Sequence, residues 1–454
     1  MIKISVFLLA FTFFSCGSNS DKSKEKIENT TTEKTTDEQL LDQVQKEAIK
    51  YFWEYAETNS KLARERYLTD DPNFEANKVT TGGSGFGLMS LIVGVERGFI
   101  PRAAAVTRMT TAMDFLAKAD RFHGAWAHWM DGVTGKAISF GNKDDGGDIV
   151  ETAFLCQGLI AVREYFKDGN YQEKALAAKA DNLWKTVEWN WYTNGENAMY
   201  WHWSPNYGWE MKFKLEGYNE CLIAYILGAA SPTHPIPTAA YHEAWTRSGS
   251  FKTDKRQYGI PLVLKYNTAS GNAGPLFWAQ YSYLGLDPSQ LTDKYANYWE
   301  LTQNQAKIMY QHAIVNPNKL KGYSEKCWGL TASYSRKADG TTGYSAHDTD
   351  NDLGIISPTA ALSSFPYTPK ESMRFLQYLY NEKKADYVGI AGPYDAFSPH
   401  YNWVTKRYLA IDQGTIAPMI ENYRTGLLWK LFMNAPEVQS GLITLGFHSE
   451  KYNF

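Results

Sequence analysis

The sequence predicts an all-α fold, an (α/α)6 toroid or barrel in which six inner helices are ringed by six outer ones, with short β-hairpin rim loops. Three observations carry this. About twelve helical patterns follow one another, with no second low-complexity linker after residue 39. They alternate between nearly all-apolar segments, which must be covered on every side, and amphipathic ones, which suit an outer layer. Aromatic-rich stretches with Gly, Asn and Asp turn residues interrupt them at 125–140, 200–213 and 326–344, and read as hairpins or rim loops.

Taken in order, the first pattern, 39–57, sets Leu41, Val44, Ala48, Phe52 and Tyr55 at helical spacing. Residues 85–95 are nearly all apolar, and 102–119 follows Pro101, whose fixed φ suits a first turn. Residues 149–166 and 171–189 form another pair. A pattern over 216–227 is stopped by Ser231-Pro232-Thr233-His234-Pro235. Patterns at 239–245, 273–284, 291–312, 357–362, 369–380 and 414–432 complete the set. The Gly-rich run Gly82-Gly83-Ser84-Gly85-Phe86-Gly87 has no strand before it and no Lys after it, so it is a tight helix start and not a phosphate loop.

The N-terminus has a different character. After Met1-Ile2-Lys3, residues 4–14 form an apolar stretch too short to span a bilayer at ~1.5 Å per residue, the length of a signal peptide. It ends in Phe13-Phe14-Ser15-Cys16-Gly17, which resembles a lipoprotein cleavage box with Cys16 as the lipidated residue. Ordinary cleavage nearby, giving a secreted protein, is the alternative. Residues 17–38 are Ser, Thr, Lys and Glu with few apolar side chains, a tether that cannot bury a core. The expected organisation is therefore a leader over 1–16, a tether over 17–38 and a helical domain over 39–454, placed in the cell envelope by a lipid anchor. Cys156, Cys221 and Cys327 show no paired or metal-ligand spacing and read as buried inert thiols.

Composition narrows the function. Basic and acidic residues number 46 and 49, with no basic run, which argues against a nucleic-acid partner. Aromatic residues make up 15% of the chain, including 15 Trp and 30 Tyr. Their flat apolar faces and polar edges suit ligands that alternate C–H and O–H groups, as oligosaccharides and polysaccharides do. A monomer is expected.

Cleaving a glycosidic bond usually takes two carboxyl groups, one as acid and one as base or nucleophile. The first candidate cluster holds Asp144, Asp145, Asp148 and Glu151 around Gly146-Gly147 at a helix start. Such crowding raises at least one pKa, although Asp148 and Glu151 also fit a capping box. The second is Glu216 and Glu220, one helical turn apart, with Glu220 at the mouth of the apolar run 221–227. Partial desolvation there favours the protonated form that a general acid needs; a buried, hydrogen-bonded Glu is the structural alternative. Asp395 lies between aromatics in Gly392-Pro393-Tyr394-Asp395-Ala396-Phe397, and Asp412 stands where it could cap the last helix.

Metal readings are weaker. His347-Asp348-Thr349-Asp350-Asn351-Asp352-Leu353-Gly354 alternates acids as a calcium loop does, but the Gly falls one place late and Thr359 stands where the bidentate Glu belongs. The nine His show no zinc spacing, so no metal is expected. There is no Gly-x-Ser-x-Gly elbow.

Several of these motifs, in this order, resemble the glucoamylase-like domain of glycoside hydrolase family 144, the bacterial β-1,2-glucanases. They run from Tyr51-Phe52-Trp53 through Gly85-Phe86-Gly87-Leu88-Met89, Asp148-Ile149-Val150-Glu151-Thr152-Ala153 and Tyr218-Asn219-Glu220. They continue with Trp328-Gly329-Leu330-Thr331-Ala332-Ser333, Tyr394-Asp395-Ala396-Phe397, Ile411-Asp412-Gln413-Gly414 and Met419-Ile420-Glu421-Asn422-Tyr423-Arg424. The resemblance implies an (α/α)6 barrel and inverting hydrolysis of β-1,2-linked glucose chains without a cofactor. It points to Asp144, Asp148, Glu151 and Glu220 as acids lining the cleft, with Asp395 nearby. One departure stands out: the family usually has Asp-Gly-Pro where this chain has Tyr334-Ser335-Arg336-Lys337. That change lies on a rim loop and bears on chain length and on endo versus exo action.

The resulting expectation assigns Glu220 as general acid, with Asp148 or Asp395 steering a water. Trp203, Tyr218, Trp328, Tyr394 and Trp403 are candidates for stacking on sugar rings, each with a core role as the alternative. Arg424 is a candidate for holding a carboxylate by a bidentate pair. An α-glucan exo-hydrolase and a non-catalytic glycan-binding lipoprotein are the alternative functions.

Overall fold

Fourteen helices succeed one another in the computed structural model, which describes residues 36–454. The expected leader, Cys16 and nearly all of the tether lie outside the described residues. The helices are α1 (Asp37–Trp53), α2 (Thr81–Glu96), α3 (Arg102–Leu116), α4 (Ile149–Phe166), α5 (Tyr171–Lys185), α6 (Leu222–Ala230) and α7 (Thr238–Ala240, continued by a π-turn at Tyr241–Trp245). Then come α8 (Tyr298–Val315), α9 (Pro358–Leu362), α10 (Pro369–Gln377), α11 (Lys384–Tyr387), α12 (Ala410–Arg424), α13 (Leu427–Met433) and α14 (Pro436–Thr444).

The inner ring is α2, α4, α6, the turn-rich segment 276–285, α9 and α12. Helix α4 packs between α2 and α6, and α12 packs between α2 and α9. Side chains close the remaining joints. Gln157 of α4 donates to the Tyr281 carbonyl (3.0 Å), Ser282 accepts from the Ile223 amide of α6 (3.1 Å), and Gln280 donates to the Ala360 carbonyl of α9 (3.1 Å). Outside, α1 covers α2 and α12, α3 and α5 cover α2 and α4, and α8 covers the fourth joint. The expected (α/α)6 toroid is the fold observed.

Its inner helices are close-packed because their sequence is small where they cross. A Cβ on Gly85 of α2 would stand 2.3 Å from the Phe154 carbonyl oxygen, and one on Gly158 of α4 would stand 2.3 Å from that of Gly85. Within the Gly-rich run that starts α2, Gly85 is thus where the backbones of α2 and α4 touch. Gly85→Ala is expected to lower stability by at least ~1–3 kcal/mol through overpacking, read as a fall in the urea midpoint without a change in slope.

Beyond shifts of a few residues at helix ends, four patterns differ more from the sequence reading, each for a local reason. The 273–284 pattern is not an α-helix but a 3-10 turn, Leu276–Ala279, followed by irregular turns. Gln157 supplies partners to both Tyr281 O and Gly285 N there, replacing the helical ladder. Helix α8 starts at Tyr298, capped by Asn297, because Leu291–Thr292 pairs with His448–Ser449. The 414–432 pattern breaks at Gly426 (φ 70°), separating α12 from α13. Helix α6 begins only at Leu222, since Gly217 is left-handed (φ 76°) and Asn219 caps the Cys221 amide (2.9 Å). Glu216 and Glu220 therefore lie in a loop, not one helical turn apart.

Short antiparallel strand pairs sit before the inner helices, the pair over 332–346 a true hairpin and the other three long-range pairings. Arg66–Leu68 pairs with Arg407–Leu409, Lys78–Thr80 with Trp129–Asp131, Gly147–Asp148 with His202–Trp203, and Ala332–Arg336 with Thr342–Ala346. They gather at the N-terminal ends of α2, α4 and α12. Cys156, Cys221 and Cys327 are free and buried, as expected.

Candidate active site

A cavity of about 490 Å³ opens at that end of the ring. Its wall includes Thr80 before α2, Glu151 in the first turn of α4, Glu220 before α6, Tyr281 of the fourth joint and Ile411 of α12, with His128, Phe140, Trp201, Tyr334 and Tyr344 from the strand pairs and the residues beside them.

Asp148 is the N-cap of α4: its Oδ1 accepts from the Val150 (3.0 Å) and Glu151 (2.9 Å) amides. Its Oδ2 lies 3.0 Å from His128 Nδ1 and 3.9 Å from His202 Nε2. The expected capping box does not close, because Glu151 turns away and takes the Gly82 amide on Oε2 (2.7 Å). This needs a residue without a side chain at 82, where a Cβ would lie 2.5 Å from that oxygen. Freed from capping, Glu151 reaches the cavity wall.

The charges here are set by one another. Burial disfavours protonation of His128, but Glu151, Asp148 and Asp144 outweigh it and lift the ring to about 9, so it is a cation at neutral pH. Burial pushes Asp148 up, yet His128, His202 and its helix amides hold it below the usual carboxylate range. Asp144, 3.2 Å from His202 Nε2, is raised to about 7 by burial and by Asp148. Glu151 is raised by burial and Asp148, against His128 and the Gly82 amide. Among the described residues, His128, Asp144 and Asp148 are the group spaced for a metal ion, with ligand atoms within 4.8 Å of one another. The protonated ring already supplies the positive charge that the two carboxylates require.

Glu220 stands apart from that network. Its carboxyl makes no hydrogen bond to another described residue and faces the cavity. Burial lifts it to about 7, with smaller pushes from Glu151 and Asp148. Its place before α6 favours the anion through the helix dipole, and burial wins.

Asp395 and Asp412 form a second carboxyl pair, within hydrogen-bond reach of each other and both raised by burial. Asp395 accepts from the Tyr334 amide (2.7 Å) and Asp412 from the Tyr281 hydroxyl (3.0 Å). Both acids sit behind the wall that Tyr334 and Tyr281 present, and Asp412, in the first turn of α12, makes no cap bond.

Other expected site residues fall elsewhere. Tyr218 and Trp328 are fully buried, the first bonded to the Trp278 carbonyl, and neither can offer a face to a sugar. Arg424 pairs with Glu38 and Asp42 of α1, tying α12 to the outer layer far from any catalytic carboxyl. Tyr394 packs on Tyr408, and Trp403 on a small cluster of Tyr334, Ile355, Ala396 and Leu409. Trp203 points to the opposite side of its strand from His202. The calcium-like loop spends its acids on protein partners: Asp348 on the amides of Asp350 and Asn351, Asp350 on Asn272, and Asp352 on His312 and Tyr323.

The sequence reading missed His128, Trp201 and the Glu65–Arg66 pair on the cavity wall, and His202 behind it against Asp144. The signal for His128, Trp201 and His202 is the pair of alternating aromatic stretches 125–140 and 200–213, each of which carries a His among its aromatics; Glu65 and Arg66 carry no local signal.

A family model for glucoamylases (Glycoamylase) matches residues 212–436. The structure superposes on an endo-β-1,2-glucanase from Chitinophaga pinensis, solved with sophorotriose and glucose, with a TM-score of 0.89 and 54% identity, over 92% of this chain and 100% of that one. The chain belongs to glycoside hydrolase family 144. This family 144 chain is also 44% identical over 430 residues to an exo-β-1,2-glucooligosaccharide sophorohydrolase (non-reducing end) of Parabacteroides distasonis, covering 91% of this chain and 58% of that protein. A β-1,2-glucanase structure from the same species matches at 43% identity and TM-score 0.84, over 91% of this chain and 60% of that one. The chain thus spans less than two thirds of the length of these Parabacteroides relatives.

Proposed function

We propose that this family 144 chain hydrolyses β-1,2-glucan, with Glu220 as general acid and Glu151 as the base that steers water. The observation that carries it is Glu220: among the acids on the cavity wall, Glu65 is taken by Arg66 and Glu151 by Gly82, while the Glu220 carboxyl takes no hydrogen bond from another described residue and burial holds its proton up to about 7. Glu220 gives its proton to the glycosidic oxygen as the C1–O bond breaks. Water adds to C1 and passes its proton to Glu151, so the anomeric configuration inverts. Asp148 and Asp395, the sequence candidates for steering water, are buried behind the wall and act by positioning His128 and Tyr334. Trp201, whose indole N–H is buried without a partner, is available to a sugar hydroxyl. The Tyr334-Ser335-Arg336-Lys337 departure from the family pattern lies in the hairpin that supplies Tyr334, Thr342 and Tyr344 to the wall, which supports a role for this hairpin in chain-length preference and in endo versus exo action.

Purified protein given linear β-1,2-glucan and, separately, soluble starch is expected to release sophorose or short β-1,2 oligomers from the first and nothing from the second. Polarimetry should show the inverted anomer first. Attack on starch alone would move the substrate to α-glucans; attack on neither would overturn the proposal. A lipid anchor at Cys16 and an envelope location belong to the same proposal, supported by the residues before it. Cys16→Ser should shift the protein from the detergent phase to the aqueous phase.

A further inference from the structure

We propose a second carbohydrate-binding site, a groove on the outer side of the 202–203 strand that holds longer glucan chains; it rests on the glucan reading above and concerns a surface separate from the cavity. The groove, about 340 Å³, lies within the roughly 300–1,000 Å³ range of small-molecule sites. It is lined by Trp191, Trp209, Glu188, Asn190, Asn194 and His234, with no Lys or Arg.

Trp191 is held in place while remaining 39% exposed. The His123 ring stacks on it at 3.5 Å and 12°, and His123 is itself pinned by Glu188, 3.0 Å from Nδ1. Trp203 meets Trp191 edge-on at 6.0 Å, and Trp209 lies beside it at 6.4 Å, tilted 35°. Two indoles, Trp191 and Trp209, line the open groove, the first backed by the His123 ring and braced edge-on by Trp203. Together they make a rigid apolar platform of the kind that takes the C–H faces of pyranose rings. Polar groups stand beside it: no protein hydrogen bond is made by the side-chain amides of Asn190 and Asn194 or by the indole N–H groups of Trp191 and Trp209, among the described residues. Uncommitted amide and indole donors with a carboxylate acceptor match neutral hydroxyls. The lack of a cation argues against a phosphorylated or sulfated ligand. One strand separates the groove from the carboxylate cluster, since His202 reaches Asp144 on one side while its neighbour Trp203 braces Trp191 on the other.

The test compares wild type, Trp191→Ala and Trp191→Phe on long linear β-1,2-glucan and on a short β-1,2 oligosaccharide. Gel retardation by the long glucan is measured alongside, in a Glu220→Gln background. Trp191→Ala is expected to raise KM for the long chain by roughly fivefold to tenfold and to weaken retardation as much. Its kcat and its kinetics on the short substrate should not change, and Trp191→Phe should recover part of the loss. An unchanged long-chain KM and retardation would overturn the site. Should the enzyme cleave no β-1,2-glucan, the activity proposal fails by itself; retardation by another neutral glucan that depends on Trp191 would then uphold the groove, and retardation by none would overturn it.

Discussion

Glu220→Gln is expected to lower kcat on β-1,2-glucan by roughly 10²–10⁴-fold, the contribution of a positioned general acid, with little change in KM. Gln keeps the shape and the cavity contacts but cannot give up a proton. The pH profile provides the sharper check. The acid works protonated, and burial lifts Glu220 to about 7, so activity should fall as pH rises through about 7, losing tenfold per unit beyond it. His128, raised to about 9, keeps its charge across that range and does not produce this limb. In Glu220→Gln the residual activity should lose the descending limb near 7. A variant that retained both its rate and that limb would move the acid's role elsewhere, with Asp144, also near 7, next in line.

Asp148→Ala should be the most destabilising carboxylate change, because one side chain does two jobs. Removing the cap of α4 costs about 1 kcal/mol, and leaving His128 without its buried partner costs about 3–5 kcal/mol more. Asp148→Asn separates the two: its oxygen still accepts from Val150 and Glu151, while the charge is lost. The pH dependence of the difference between wild type and Asn follows from the two shifts. His128 is raised above its unfolded value of 6.5, so its contribution is complete below 6.5 and lost as pH rises through about 9. Asp148 is lowered, so its contribution is present above 3.8 and lost as pH falls through its folded value. The Asn variant should therefore lag wild type most between about pH 4 and 6.5, measured by urea unfolding, and approach it above 9. In the same variant, NMR titration should show the His128 pKa lowered from its wild-type value, with Glu151 and Asp144 still holding it up.

The legible part of the site was local. Asp148 beside Ile149 announces a helix cap because an acceptor next to an apolar helical run satisfies amides within three residues. Glu220 before Cys221-Leu222-Ile223-Ala224 announces desolvation, since such a run can only be buried. Both needed nothing beyond neighbours in sequence. The turn of Glu151 away from its capping box was not legible: it depends on Gly82, which arrives from another helix. Tyr218 and Trp328 looked like sugar platforms because an aromatic residue has the same composition signal whether it stacks on a ligand or fills a core.

What the sequence by itself determined was the alternation of apolar and amphipathic helices, hence the double ring, and the acids that open α4 and precede α6. These follow from periodicity and from neighbours along the chain. The tertiary structure alone decided that His128 and His202, 74 residues apart, close on Asp148 and Asp144, and that Trp203 faces outward toward Trp191. It also replaced the fourth inner helix with turns bonded to Gln157 of α4 and, through Gln280, to α9. The physical reason is the same in each case: charge, burial and hydrogen-bond satisfaction at these points depend on partners brought in by other segments, and a one-dimensional pattern carries no record of which segments will meet.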